Sequence, residues 1–249
     1  MSNEVTDIAK DPGRRGFLGR MALVAGVTVA PGIVLRQAIS KPVDQAVSDK
    51  TRWGMLIDTS KCKDGCDACV TACNTKHGLK TPENLTTDAQ WIRKVTIVEP
   101  TTQRATSLPM MCQHCEKPPC VDVCPTGASF KREDGIVLVD KHLCIGCRYC
   151  MMACPYQARS FIHEDLTDQL PHAPRGKGTV ESCTMCVDNV DKGELPACVT
   201  ACSGEGGAMT FGDLYDPESE ISKKLAEHGG EALRADLGLN PGVRYQGLE

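Results

Sequence analysis

Beyond residue 40 the apolar residues of this chain come in short packets separated by polar segments rich in Gly and Pro. Residues 53–58 (Trp-Gly-Met-Leu-Ile-Asp) form one such packet, of strand length, and predict a short buried strand. Residues 91–98 alternate after their first positions and are rich in β-branched side chains, predicting a second strand. Residues 128–131 and 135–139 flank Arg132-Glu-Asp-Gly135 and predict a hairpin with a Gly-containing turn. Residues 158–162 and 208–213 read as further short strands. One helix is predicted over 217–228, with Asp216 as N-cap, Pro217 at its first position and Gly229-Gly230 ending it. Residues 74–90 and 163–180 read as loop, and 239–245 as a tail laid on the surface. The fold class is α+β, with short strands, short helices and much irregular loop.

The amino-terminal 40 residues follow another pattern. Arg14-Arg15-Gly16-Phe17-Leu18 precedes an apolar run over 21–35 that is broken by Gly26, Pro31 and Gly32. The run falls short of the ~20 residues a spanning helix needs. Adjacent arginines before a weakly apolar segment resemble a twin-arginine export signal, with an ordinary anchor helix as the plainer alternative. A cleavage point near Ala38-Ile39-Ser40 fits, and residues 41–52 read as a polar linker. No other stretch reaches spanning length, so attachment to a membrane is expected only through partners.

Composition adds a constraint on the core. Four Phe, four Tyr and two Trp in 249 residues are few, whereas there are sixteen Cys. Cross-links are expected to supply what side-chain packing does not. The net charge of −4 leaves no basic footprint for nucleic acid. There is no glycine-rich nucleotide fingerprint after a strand, no hydrolase elbow and no acid/base pair with a site around it. No catalytic residue is therefore assigned, and an electron conduit is a better reading than an enzyme.

The sixteen cysteines fall into four groups of four: Cys62, Cys66, Cys69, Cys73; Cys112, Cys115, Cys120, Cys124; Cys144, Cys147, Cys150, Cys154; and Cys183, Cys186, Cys198, Cys202. Three chemistries compete for them. Disulfides suit an exported protein, but C-x2-C pairs are too close to bridge comfortably. Structural zinc needs only four local thiolates and gives no role to the prolines after Cys124 and Cys154. Cubane iron–sulfur clusters account for both. The stretch Cys144-Ile-Gly-Cys-Arg-Tyr-Cys-Met-Met-Ala-Cys154-Pro155 has the C-x2-C-x2-C-x3-C-P spacing of bacterial ferredoxins, in which the fourth cysteine ligates the other cluster.

That crossing rule assigns four 4Fe–4S clusters. Cys112, Cys115 and Cys120 share one with Cys154; Cys144, Cys147 and Cys150 share one with Cys124. The first and last groups form the outer pair, with Cys62, Cys66 and Cys69 joined by Cys202, and Cys183, Cys186 and Cys198 joined by Cys73. The organisation expected is two nested ferredoxin-like modules. The outer one comprises 41–110 with 163–215, the inner one 111–162, and 216–249 is a carboxy-terminal helix and tail. His114, inside Cys112-Gln-His-Cys115, reads as a spacer because four thiols already serve that site.

Over residues 53–213 the pattern resembles the four-cluster electron-transfer subunits of the molybdopterin-oxidoreductase and NrfD-type complexes. The resemblance is carried by Cys112-Gln-His-Cys-Glu-Lys-Pro-Pro-Cys-Val-Asp-Val-Cys-Pro-Thr-Gly-Ala and by residues 183–202. Within that family, the three-residue gap Cys62-Lys-Asp-Gly-Cys66, Asn74, Trp91-Ile-Arg-Lys and the twin arginines are most similar to the DsrO type, the iron–sulfur subunit of the membrane complex associated with dissimilatory sulfite reductase. The resemblance implies a periplasmic subunit docked on an NrfD-like, quinone-interacting membrane partner. It also implies a multihaem cytochrome c, further subunits of a Dsr-type complex and a link to sulfur metabolism. The equivalent subunit of a nitrite, tetrathionate, thiosulfate or polysulfide reductase, or of a hydrogenase, is the neighbouring alternative. Two departures stand out: the extra residue before Cys66, and Ser203-Gly204 in place of Pro after Cys202.

Overall fold

A computed structural model describes residues 47–167 and 169–248. The twin arginines, the apolar run that follows them and the suggested cleavage point lie outside the described residues. The architecture is a small mixed α/β fold of short elements. Its strands are β1 (Trp53–Asp58), β2 (Ile92–Val98), β3 (Ala105–Met111), β4 (Ser129–Lys131), β5 (Val137–Val139), β6 (Ser160–Phe161), β7 (Val180–Glu181), β8 (Met209–Asp213) and β9 (Val243–Gln246). Its helices are α1 (Ala68–His77), α2 (Pro119–Asp122), α3 (Tyr149–Ala153), α4 (Val187–Val190), α5 (Ala197–Ser203) and α6 (Glu220–His228).

A three-stranded sheet in the order β8-β1-β9 forms the centre. β1 runs antiparallel to β8, pairing Met55 with Phe211, and parallel to β9, pairing Ile57 with Tyr245. As the central strand, β1 buries Met55, Leu56 and Ile57 on both faces, which explains its unbroken apolar sequence. Separate two-stranded pairs are made by β2 with β3, β4 with β5, and β6 with β7. Few aromatics enter the core. Cys69, Cys73, Cys112, Cys115, Cys183 and Cys198 are themselves among its buried members, beside Ile92, Leu108, Val243 and Tyr245.

Three expectations are corrected. The tail is not laid on the surface: β9 belongs to the central sheet, and Val243 and Tyr245 are wholly buried. The Tyr245 hydroxyl donates to the Pro109 carbonyl and accepts from Gln113 Nε2, so its burial leaves no polar group orphaned. The last long helix starts at Glu220 rather than Pro217, because Ser219, not Asp216, caps it by accepting from the Ser222 N–H. Residues 163–180 are not loop to their end, since β7 begins at Val180 and pairs with β6. β3 was not foreseen. Its Pro109 sits opposite Lys94 in a two-stranded ribbon, where one side of each strand needs no ladder partner.

Candidate metal centres

Two pairs of short helices carry the thiols to one another. α1 packs on α5, and α2 on α3. Cys69 and Cys73 stand four residues apart on α1, about 6 Å along one face, so a single helix serves two adjacent spaces. Cys198 and Cys202 repeat this on α5. Cys120 on α2 and Cys150 on α3 each precede a second cysteine, Cys124 and Cys154, that lies just past the helix. α1 stops where Gly78 takes a left-handed conformation (φ 64°) and the Leu79 N–H returns to the Asn74 carbonyl.

Cysteines from different groups line common cavities. Cys62, Cys66, Cys69 and Cys202 line one space. Cys112, Cys115, Cys120 and Cys154 line a second, and Cys124, Cys144, Cys147 and Cys150 a third. Cys73, Cys183, Cys186 and Cys198 lie close enough together that negative charge on Cys73 is opposed by Cys198 and Cys186, and charge on Cys183 by the other three. All sixteen are free thiols, unpaired by disulfides.

The four loops share a backbone device. The residue just before each second cysteine has positive φ: Gly65 (70°), His114 (43°), Gly146 (70°) and Met185 (56°). The turn bends the chain around the space and aims N–H groups inward. The extra residue between Cys62 and Cys66 therefore leaves this position intact, with Gly65 standing where His114, Gly146 and Met185 stand. Sulfur receives backbone donors from Ser129 to Cys124 (3.3 Å), Val180 to Cys144 (3.4 Å), Met185 to Cys183 (3.4 Å) and Ala158 to Cys154 (3.5 Å). After Cys202 the missing proline is replaced by one more residue of α5, Ser203, with the Gly207 N–H closing onto the Cys202 carbonyl.

Burial sets the electrostatics. It pushes the Cys69 thiol up to about 11 and the Cys112 and Cys115 thiols up to about 12, and it raises Cys73, Cys183 and Cys198 strongly. Such thiols are protonated at neutral pH unless a metal displaces the proton. Lys94 Nζ lies 2.9 Å from Cys62 Sγ, and His77 Nε2 3.4 Å from Cys186 Sγ. Burial lowers His77 to about 4, so it meets that sulfur as a neutral ring. His114 is fully buried; its Nδ1 accepts from the Val137 N–H, while its Nε2 has no hydrogen-bond partner in the protein.

The donor set fits iron–sulfur cubes: four sulfurs per space, backbone N–H groups directed at sulfur, and no carboxylate among the linings of the two inner cavities. Among the described residues, no three His, Cys, Asp or Glu side chains converge tightly enough for a single ion. Neighbouring spaces also bear on one another. Cys198 is influenced by Cys69 of the first space, and Cys120 by Cys150 of the last. Between the two halves, Tyr245 feels Cys183 and Tyr156, and Tyr156 feels Cys115 and Cys154. Sequence reasoning missed Lys94, His77, Tyr156, Tyr245 and Arg159. For Arg159 a signal existed, a lone charge inside the apolar packet 158–162.

Comparison with known proteins agrees with this geometry. Residues 103–214 match the 4Fe-4S dicluster domain family. The chain belongs to the ferredoxin-type iron–sulfur subunits that transfer electrons within oxidoreductase complexes. It is 43% identical over 264 residues to the Hdr-like menaquinol oxidoreductase iron-sulfur subunit 1 of Archaeoglobus fulgidus, covering 94% of this chain and 97% of that one. It is 36% identical over 249 residues to a tetrathionate reductase subunit of Salmonella typhimurium, covering 98% of this chain and 92% of that one. It is 38% identical over 236 residues to protein NrfC of Escherichia coli K12, covering 92% of each.

Proposed function

We propose that this chain is a four-cluster electron conduit of the DsrO type, exported by the twin-arginine route. It serves on the periplasmic side of a quinone-interacting membrane complex linked to sulfite and sulfur metabolism. The observation that carries the reading is the gathering of sixteen thiols into four sets of four, each set drawn from two sequence groups. In this reading all sixteen are iron ligands in the crossed pairing given above. Each cluster, when bound, takes up and releases one electron, and the chain supplies position, burial and donors to sulfur.

The surroundings of two of the cavities differ, which supports two kinds of partner. Among the sixteen cysteines only Cys147 is exposed. Around it stand Leu143 (52% exposed), Ile145 (67%), Tyr149 (54%) and Met152 (74%), an apolar rim suited to an NrfD-like membrane subunit. The cavity of Cys62, Cys66, Cys69 and Cys202 is bordered by Lys61, Lys63, Lys94 and Glu205 beside Ala68, Pro109, Ala208 and Met209, and its three lysines suit a soluble carrier such as a multihaem cytochrome c. Among the described residues, no helix is long and apolar enough to cross a membrane.

Iron and acid-labile sulfide analysis with a visible spectrum tests the cluster reading, which a colourless protein ends. Co-purification tests the complex. Recovery of an NrfD-like subunit with a multihaem cytochrome supports the Dsr-type assignment, and recovery of a molybdopterin subunit replaces it with the tetrathionate-reductase type of assembly.

A further inference from the structure

Arg159 has the least conventional surroundings of any charged residue in the fold. It is 5% exposed, and it is the single residue that lines both inner cavities, the one built by Cys112, Cys115, Cys120 and Cys154 and the one built by Cys124, Cys144, Cys147 and Cys150. One guanidinium nitrogen, Nη2, donates to Cys120 Sγ at 3.1 Å and to Ser129 Oγ at 2.8 Å. The groups that bear on its charge are Cys120, Cys112 and Cys150, the last also within reach of a weak hydrogen bond; they are ligand candidates from both cavities, and no carboxylate is among them. Its Nε and Nη1 are buried and have no hydrogen-bond partner in the protein.

A buried guanidinium with two orphaned donors and no counter-ion is costly in a protein interior. The neighbouring buried cation, Arg175, shows the ordinary solution: Glu181 meets it through two bonds of 2.9 and 2.8 Å. Arg159 lacks any such partner. What its position offers instead is two spaces that gather sulfur, each of which would hold negative charge once thiolates and a cluster are in place.

We propose that Arg159 is a cation shared by the two inner clusters, its unpartnered Nε and Nη1 donating to sulfur of the bound clusters and its charge holding both reduction potentials up together. This rests on the cluster reading above. The sign follows from charge: reducing a cluster adds one negative charge, which a fixed neighbouring cation stabilises, so the reduced form is favoured. Because one guanidinium borders both cavities, a change at this position moves two of the four potentials and leaves the outer two in place. Arg159 is thus a positioning and tuning residue and ligates nothing.

The test is an EPR-monitored redox titration of the full chain as isolated with its clusters, for the parent protein, Arg159→Met, Arg159→Gln and Arg159→Lys, with iron and sulfide measured on each sample. With full iron content, Met and Gln are expected to lower two midpoint potentials by at least tenfold in the reduction equilibrium, about 59 mV each for a one-electron couple. Lys, which keeps the charge, is expected to retain most of both. Unchanged potentials in Met or Gln with full iron overturn the proposal, and so does a shift confined to one cluster. Loss of iron from all three variants makes Arg159 a residue of cluster retention and overturns it equally. A parent protein without iron instead removes the cluster reading itself.

Discussion

Gly65 and Gly146 allow a paired experiment. Both have φ of 70° and both stand just before the second cysteine of their loops. They differ in surroundings. A Cβ on Gly65 meets nothing within 4 Å, whereas a Cβ on Gly146 falls 2.1 Å from the Gly178 carbonyl oxygen. Gly65→Ala therefore costs only the left-handed strain of an L-residue, about 1–2 kcal/mol. Gly146→Ala adds a backbone clash that no side-chain rotation relieves, roughly 1–3 kcal/mol more by analogy with overpacked cores. The displaced segment is also functional, because the Val180 N–H, two residues beyond Gly178, donates to Cys144 Sγ. The expected outcome is that Gly65→Ala keeps its full iron with a modest fall in the urea midpoint. On the four-cluster reading proposed above, Gly146→Ala is expected to lose about one quarter of its iron or to convert one cluster. Iron analysis, EPR and urea titration on both variants read this directly. Equal iron and equal midpoints in the two variants would refute the argument that the Gly178 carbonyl, rather than φ, makes Gly146 necessary.

Other outcomes follow from single contacts. Cys66→Ser is expected to lose or convert one cluster, and an unchanged iron count with an unchanged EPR spectrum removes Cys66 from the ligand set. Glu181→Ala leaves Arg175 buried without its partner and is expected to destabilise the fold by roughly 3–5 kcal/mol, measured by denaturant unfolding. Tyr245→Phe keeps the ring but leaves one of the two Gln113 amide hydrogens without its partner, the other still reaching the Met111 carbonyl, and removes the donor to the Pro109 carbonyl, a loss of about 1–3 kcal/mol in the same assay. Replacing Leu143, Ile145 and Met152 together by Ser is expected to weaken recovery of the membrane partner while iron content stays full, since none of the three is a thiol ligand candidate.

The cysteine arithmetic was legible because ligand spacing is a local property. Cys69 and Cys73 must share a helix face, and the prolines after Cys124 and Cys154 must end their turns. Partners along the central sheet were not legible in the same way. Val243-Arg-Tyr-Gln alternates correctly for a half-buried strand, with its first and third residues buried. Four residues after Pro241-Gly242 are nonetheless too short a signal, and the partner β1 lies nearly the whole described chain away. β3 was hidden by Pro109, which argues against a strand until its ribbon partner is known. Arg159 was visible as an anomaly, but what surrounds it comes from α2, α3 and β4, which no local window contains.

The parallel pairing of β9 with β1 has a consequence for the order of assembly. Cys62, Cys66 and Cys69 come early in synthesis, yet the fourth thiol of their cavity, Cys202, comes late, and the strand that completes the sheet behind them comes last of all. A nascent chain leaving the ribosome cannot close its first cavity by local contacts, and must hold three reactive sulfurs open until the carboxy-terminal segment arrives. A chain cut short before β9 would lack both the sheet edge and Tyr245 beneath Gln113, at the start of the Cys112 loop. Topology thus ties the first cavity to residues from the far end of the described chain, and the sheet behind it is complete only when β9 has paired with β1.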